Sequence, residues 1–269
     1  MTRRTSGIKR EWILTGVFVL TLFAVGINSI PRYAGYAYED IRFAVNPTAE
    51  HAYTIAIKHL DARSPEEYDI RRAGKYLDKT QQIDTVYPHI HHHLARLYFL
   101  RGQFEQALSH INTELLITAE PMPSSYYVKG LIEGFMGSYQ NAALSYEQFL
   151  KSDPNNWAGL NDYAWVLLRG NRPHEALTVL NRALETHPKN PWLLNSKTTA
   201  LFELKRYPEA LEVAALAKEE SLKMNEETWW AAYPGNDPNT TAAGILTLQN
   251  AARFNFEKIE IYIASSSHE

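Results

Sequence analysis

The sequence predicts an all-α protein: a linear stack of helical hairpins behind a membrane-spanning helix, closed by a capping helix. Two observations carry that prediction. Five alanines, Ala73, Ala107, Ala142, Ala176 and Ala210, recur at steps of 34 or 35 residues in matched contexts, which is the mark of internal repetition. A run of 19 residues, Trp12 to Ile30, carries no charge, as a helix crossing a bilayer requires.

Residues 1–11 hold Arg3, Arg4, Lys9 and Arg10 against Glu11. The uncharged run that follows, at about 1.5 Å per residue, extends roughly 28 Å and matches a hydrocarbon core of about 30 Å. Positive charge ahead of it predicts a cytoplasmic N-terminus (1–11), a transmembrane signal anchor (12–30) and an extracytoplasmic remainder. The alternative is a cleaved signal peptide, leaving a secreted or periplasmic domain, although only mediocre cleavage sites stand near Ala34 to Ala37.

The whole chain has net charge −3, with 45% hydrophobic residues and no Cys. That charge is too mild for a nucleic-acid partner. The lack of Cys excludes disulfides, thiolate metal sites and a Cys nucleophile. Beyond the basic N-terminus the charge is more negative, so tethering falls to the anchor rather than to attraction for anionic lipid.

Residues 31–46 read as a spacer or leading cap. Residues 47–86 form a divergent first hairpin with a long turn, RSPEEYD. Four regular units follow at 87–121, 122–155, 156–189 and 190–223. In each, paired helices cross closely and leave no space for a large side chain. The five alanines fill that contact in the second helices, and Ala95, Gly130, Ala164 and Thr198 fill it in the first helices, twelve residues earlier. Larger residues plug the gaps: Tyr98, Phe104, Tyr139, Tyr146, Leu160, Leu167, Leu180, Leu201 and Tyr207. Gly102 and Gly137 give the permissive backbone a helix C-terminus wants, and Pro154 and Pro188 end second helices. Thr80, Glu114 and Glu133 depart from the pattern.

Residues 224–239 form an aromatic linker whose Trp229, Trp230 and Tyr233 should lie on the last hairpin. Residues 240–269 form a capping helix and tail. Thr240 and Thr241 are its candidate N-caps, and its apolar face is Ile245, Leu248, Ala252, Phe256, Ile259 and Ile263.

The segments GSYQNAALSYEQFLKSDP and NDYAWVLLRGNRPHEALTVLNRALETHP resemble the tetratricopeptide (TPR) repeat. The resemblance covers Pro88 to Ser221 and reaches weakly back to Asn46. It implies a right-handed superhelical α-solenoid whose inner wall, lined by first helices, binds a peptide or partner helix. The positions carried over are His92, Arg96 and Phe99; Tyr127, Leu131 and Phe135; Asn161, Trp165 and Leu168; and Trp192, Asn195 and Thr199. Asn161 and Asn195, one repeat apart, can hydrogen-bond an extended peptide. The Lys/Asn/Arg grid by which chaperone-type TPR domains hold a C-terminal carboxylate is lacking.

The segment YPHIHHHLARLY places His89 and His93 at a spacing compatible with Zn²⁺ on a helix face. No third ligand is near and there is no HExxH, so repeat packing is the stronger reading. There is no GxSxG, SxxK or Walker loop, and the Glu66–Glu67 and Glu219–Glu220 pairs read as solvated faces. No catalytic role and no cofactor is expected. The function implied is a membrane-anchored protein-interaction scaffold for envelope assembly. Alternatives are a self-associating structural protein of the envelope, or a metal-binding accessory acting through His89 and His93.

Overall fold

A computed structural model describes residues 32–232 and 237–266, with side chains of 230–232 excepted. Every regular element among them is helical. The anchor expected at 12–30 lies outside these residues, as do the Trp230 side chain and Tyr233. Among the described residues no helix is long and apolar enough to cross a membrane.

The described part of helix α1 covers residues 32–45. Five hairpins follow: α2 Ala49–Leu60 with α3 Ile70–Ile83, α4 Ile90–Leu100 with α5 Phe104–Ile117, and α6 Pro123–Phe135 with α7 Tyr139–Ser152. The last two are α8 Trp157–Arg169 with α9 Pro173–Thr186, and α10 Pro191–Glu203 with α11 Tyr207–Ser221. A short α12, Glu226–Ala232, and a 3₁₀ turn, Pro238–Thr240, lead to α13, Thr241–Ser266. Each hairpin touches its neighbours in sequence, so the fold is a tetratricopeptide-like solenoid.

Local chemistry sets the boundaries. Thr48, Asp69, Asn156 and Asn190 cap α2, α3, α8 and α10 with side-chain oxygens that accept backbone N–H groups, satisfying donors the first turn leaves free. The hairpin turns repeat one geometry. The N–H groups of Gln103, Ser138, Arg172 and Arg206 donate to the carbonyls of Tyr98, Glu133, Leu167 and Leu201, five residues back, at 2.8–2.9 Å. This is the Schellman closure, which needs a left-handed residue. Gly102 (φ +70°), Gly137 (φ +78°), Asn171 (φ +57°) and Lys205 (φ +60°) supply it. Only the first two are glycines, so the requirement is half hidden in the sequence.

All five repeat alanines are 0% exposed. Ala95, Ala164 and Thr198 are buried opposite them, and a Cβ on Gly130 would stand 2.9 Å from the Tyr146 ring. Tyr146, Leu160, Leu167, Leu180 and Leu201 are buried plugs. Tyr98, Phe104 and Tyr139 are half-buried and packed against the buried clusters, and half-buried Tyr207 lies against Phe202 and Tyr262. The departures from the repeat pattern have partners. Thr80 Oγ1 donates to the Tyr76 carbonyl at 2.9 Å. Glu133 accepts from Ser145 Oγ at 2.6 Å. Buried Glu114 accepts from the His92 N–H at 3.3 Å and lies 3.0 Å from His89 Nδ1, placing a carboxylate at the positive N-terminus of α4.

Helix α13 packs on α11 and α10, as the first helix of a further repeat would. Leu248, Ala252 and Ile259 are buried in that contact, and Gln249 Nε2 reaches the Ser221 carbonyl at 3.2 Å. Asp237 caps the 3₁₀ turn, its side chain accepting from the Asn239 N–H at 2.8 Å, while Thr240 Oγ1 donates to the Asp237 carbonyl at 2.8 Å instead of accepting from a helix N–H. The linker is partly helical, and Trp229 in α12 stands 6.2 Å from Trp192, ring to ring.

Helix α1 is held on α2 and α3 by polar contacts. Glu39 meets Lys58, His59 and Arg72 at 2.8–2.9 Å. Asp40 meets Arg72 and Lys75 at 3.2 Å and accepts from the Tyr76 hydroxyl. Tyr36 OH donates to Asp69 Oδ2 at 2.9 Å. Burial pushes both carboxyl groups up. The bonds from His59, Lys58 and Arg72 outweigh it and hold Glu39 low; those from Tyr76 and Lys75, with the Arg72 charge, bring Asp40 to about 2.

Two outcomes follow from this architecture. Replacing Lys205 by Gly removes a side chain from a left-handed turn and should raise stability by about 1 kcal/mol in urea unfolding; a loss would mean the Lys side chain itself holds the turn. Carboxylates with depressed pKa bind protons less readily when folded, so their stabilisation is present near neutrality and fades as pH falls. Amide exchange in 32–45 should therefore accelerate before that of the central hairpins as pH falls from about 4 toward 2, the ordinary and native ends of the Asp40 titration; simultaneous loss would refute the polar clamp.

Candidate partner-binding surface

The twelve inner-wall candidates divide into two groups. One group is engaged between successive first helices. Arg96 donates to Asp61 at 2.6 Å, joining α4 to the end of α2. His92 Nδ1 lies 2.9 Å from Ser125 Oγ, joining α4 to α6. Tyr127 OH donates to Asp162 Oδ2 at 2.6 Å, joining α6 to α8. Ser196 Oγ donates to Asn161 Oδ1 at 2.8 Å, joining α8 to α10. Asn255 Nδ2 donates to Asn195 Oδ1 at 2.9 Å, joining α13 to α10.

One hydrogen bond thus ties each first helix to the next, along the whole stack. His92, at 3% exposed, and Trp192, at 9%, are interior residues. Trp192 sits between Trp157, at 5.1 Å, and Trp229. The Asn161 and Asn195 side chains meet neighbouring helices through the oxygens that would otherwise accept from a peptide. Thr199 Oγ1 donates to the Asn195 carbonyl within its own helix at 3.3 Å.

The second group is aromatic and more open. Phe135, at the end of α6, is 58% exposed, with Met136 beside it at 37%. Its ring lies 5.2 Å from Phe99, 5.9 Å from Phe104 and 5.8 Å from Trp165. Tyr139 meets Trp165 edge-on at 6.4 Å. The rings form a continuous patch across three hairpins. Gly134 makes this possible, because a Cβ there would stand 2.7 Å from the Trp165 ring. Leu131 and Leu168 are partly buried on the same helices. Such rings offer large contact area at low rotamer cost.

Of the rings in this patch, Phe99, Phe135 and Trp165 stand at the inward positions expected from the sequence, whereas Phe104 and Tyr139 belong to second helices and were not among the candidates. Nor were Asp162, Ser196 and Asn255. A polar residue beside a recurrent inward position was the one signal for the first two. Asn255 had none, because its partner stands 60 residues away.

The His-rich segment is taken up by packing. His89 has φ +60° and precedes α4, so it does not share a helical face with His93. His89 faces Glu114, whereas His93 lies against Arg96 and Tyr53. Burial, aided by nearby positive groups, brings His92 down to about 2 and His93 to about 3, so both are neutral. His91 and His110 pair through their Nδ1 atoms at 2.9 Å, one donating and the other accepting. Among the described residues no three His, Cys, Asp or Glu side chains group as a metal site.

Two segments, 127–191 and 88–112, match models of the tetratricopeptide repeat. No curated protein matches the sequence. Among solved structures, MamA AMB-1 is 18% identical, with 70% of this chain and 97% of that one covered and a TM-score of 0.55. MamA MSR-1 is 16% identical, covering 65% and 97%, with a TM-score of 0.56. A tetratricopeptide repeat protein from Parabacteroides merdae is 14% identical, covering 79% of each chain, with a TM-score of 0.56. These likenesses bear on the fold.

The bond network carries a pH signature. Burial lifts Asp162 to about 6, against the hydrogen bonds from Tyr127 and Asn161. A raised carboxyl binds its proton more tightly in the folded state, so this group's contribution to stability falls as pH rises between its unfolded and folded values. Urea midpoints should reveal a component that declines from about pH 4 to about 6, in line with that lift. Asp162→Asn should lack it; identical pH slopes in the two proteins would show that Asp162 is not the source.

Proposed function

We propose that this chain, a member of the tetratricopeptide-repeat family, is a protein-binding scaffold that captures a partner segment on the aromatic patch around Phe135. The observation that carries this reading is the exposed Phe135 joined to Phe99, Phe104 and Trp165 across consecutive hairpins. Contiguous exposed apolar surface on a stable scaffold is the usual ground for association. The partner is an apolar or aromatic stretch of a peptide or helix, since the polar groups nearby already have partners within the stack. The role is binding without chemistry, and the chain needs no cofactor for it.

The finer part of the reading is the location. The uncharged run from Trp12 to Ile30 behind four basic residues supports a single-pass anchor with the repeats outside the cytoplasm. Anchoring raises the local concentration of the scaffold against membrane-bound partners, which suits assembly of an envelope complex. A chain cleaved after the run would do the same work in the periplasm or outside the cell. Self-association draws on a separate observation: Leu116 is 85% exposed and Ile117 50%, both at the end of α5.

The test uses a photo-reactive residue at Phe135 in the full chain, in cells, with Leu222, just after α11, as an exposed control site. Adducts with a discrete protein should form at 135 and not at 222. Phe135→Ala should then weaken that complex by roughly tenfold, the effect of losing an aromatic anchor, with the helical circular dichroism signal unchanged. Equal labelling at both sites would sink the aromatic patch as the binding surface. An adduct with the chain itself at 135 would replace the scaffold by the self-associating protein.

A further inference from the structure

Helix α1 is inside out. Its hydrogen-bonding and charged residues Arg32, Tyr36, Glu39 and Asp40 point toward α2, α3 and the link between them, where each has a partner. Its opposite face carries Tyr33, Tyr38, Ile41 and Val45, exposed by 66, 62, 64 and 81%, with exposed alanines between them. At 100° per residue these occupy one continuous arc of about 140°. A surface helix of a water-soluble domain has the reverse polarity, apolar inward and polar outward. Phe43 is the one large apolar side chain of α1 that is buried, 5.4 Å from Tyr76.

We propose that this outward face of α1 lies in the boundary between headgroups and acyl chains of a lipid bilayer. The inference rests on reading Trp12–Ile30 as the anchor. Only Pro31 stands in sequence between that uncharged run and the first described residue of α1, so a chain held by the run keeps α1 close to the membrane surface. The composition fits that depth. Tyr33 and Tyr38 are residues that settle at the water–lipid interface. Arg42, at the edge of the arc, holds its guanidinium 5.7 Å from the Tyr38 ring centroid, where a long basic side chain can reach phosphate while its stem follows apolar surface. Attraction comes from buried apolar area, so it does not need a basic domain.

The clamp gives the contact a consequence. Glu39, Asp40 and Arg72 fix α1 to the first hairpin, and each hairpin is tied to the next. A helix seated in the interface therefore sets the attitude of the whole stack relative to the bilayer. The aromatic patch is presented at a fixed angle rather than swinging on a flexible stalk.

The chain has no Cys, so a single introduced Cys takes a unique label. Full-length Ile41→Cys, Val45→Cys and, as control, Leu222→Cys, which is 67% exposed at the end of α11, would be labelled with an environment-sensitive fluorophore. Each would be reconstituted in phosphatidylcholine vesicles with and without nitroxide-bearing lipid. Flotation reports anchoring, and nitroxide quenching reports contact of the label with lipid.

Quenching at 41 and 45 should exceed that at 222 by roughly threefold or more, as insertion into the interface requires. Proteins that float with labels at 41 and 45 as water-exposed as at 222 would overturn this inference and leave the anchor standing. Failure to float would overturn both. Labels shielded from water but unquenched by lipid, and released on dilution, would assign the face to a second copy and overturn the inference. The two α1 variants lie on exposed positions, so loss of folding in one leaves the other as the test.

Discussion

The whole stack depends on how closely two helices can approach. Ala73, Ala107, Ala142, Ala176 and Ala210 are completely buried because each marks the point where a second helix meets its partner. A larger side chain there has nowhere to go, and overpacking a dense interior costs about 1–3 kcal/mol or more. Once that spacing is set, the larger residues around it, Tyr146, Leu160 and Leu180 among them, have defined gaps to fill. The Schellman turns at Gly102, Gly137, Asn171 and Lys205 then bring the second helix back at a constant angle. Small contact and constant turn together make one hairpin the template for the next.

Stacking hairpins brings half-buried polar groups together between first helices, and the chain pairs them with one bond per junction. Tyr127–Asp162, Ser196–Asn161 and Asn255–Asn195 serve registration as much as stability, because a buried polar atom without its partner is costly. This use competes with ligand binding. An amide whose oxygen already accepts from the neighbouring helix is not free to read a peptide backbone. The surface proposed for a partner is the aromatic one at Phe135, whose ring meets Phe99, Phe104 and Trp165.

The two ends of the stack solve the same problem by opposite means. A repeat array must cover the apolar face of its terminal units. At the C-terminal end α13 does so with Leu248, Ala252 and Ile259, in the manner of one more first helix. At the N-terminal end α1 attaches through charges, with Glu39 and Arg72 at its centre. Apart from Phe43, its large apolar residues are left outward, which is what gives that end a second surface to use.

The fold was legible in the sequence. The even spacing of alanines fixed the hairpin repeat and its register, because a close helix contact admits few residue types and so leaves a periodic trace. The capping face of α13 was legible for the same reason, from Leu248, Ala252 and Ile259 at helical spacing. The candidate surface was only partly so: Phe99, Phe135 and Trp165 fell on recurrent inward positions, whereas His92, Asn161 and Asn195 fell there too and are engaged inside the stack. Sequence by itself determined which helices pair and where they touch. Tertiary structure alone decided which polar side chains are consumed by neighbours and which face of α1 turns outward, because both depend on residues some 30 to 60 positions away that no local pattern records.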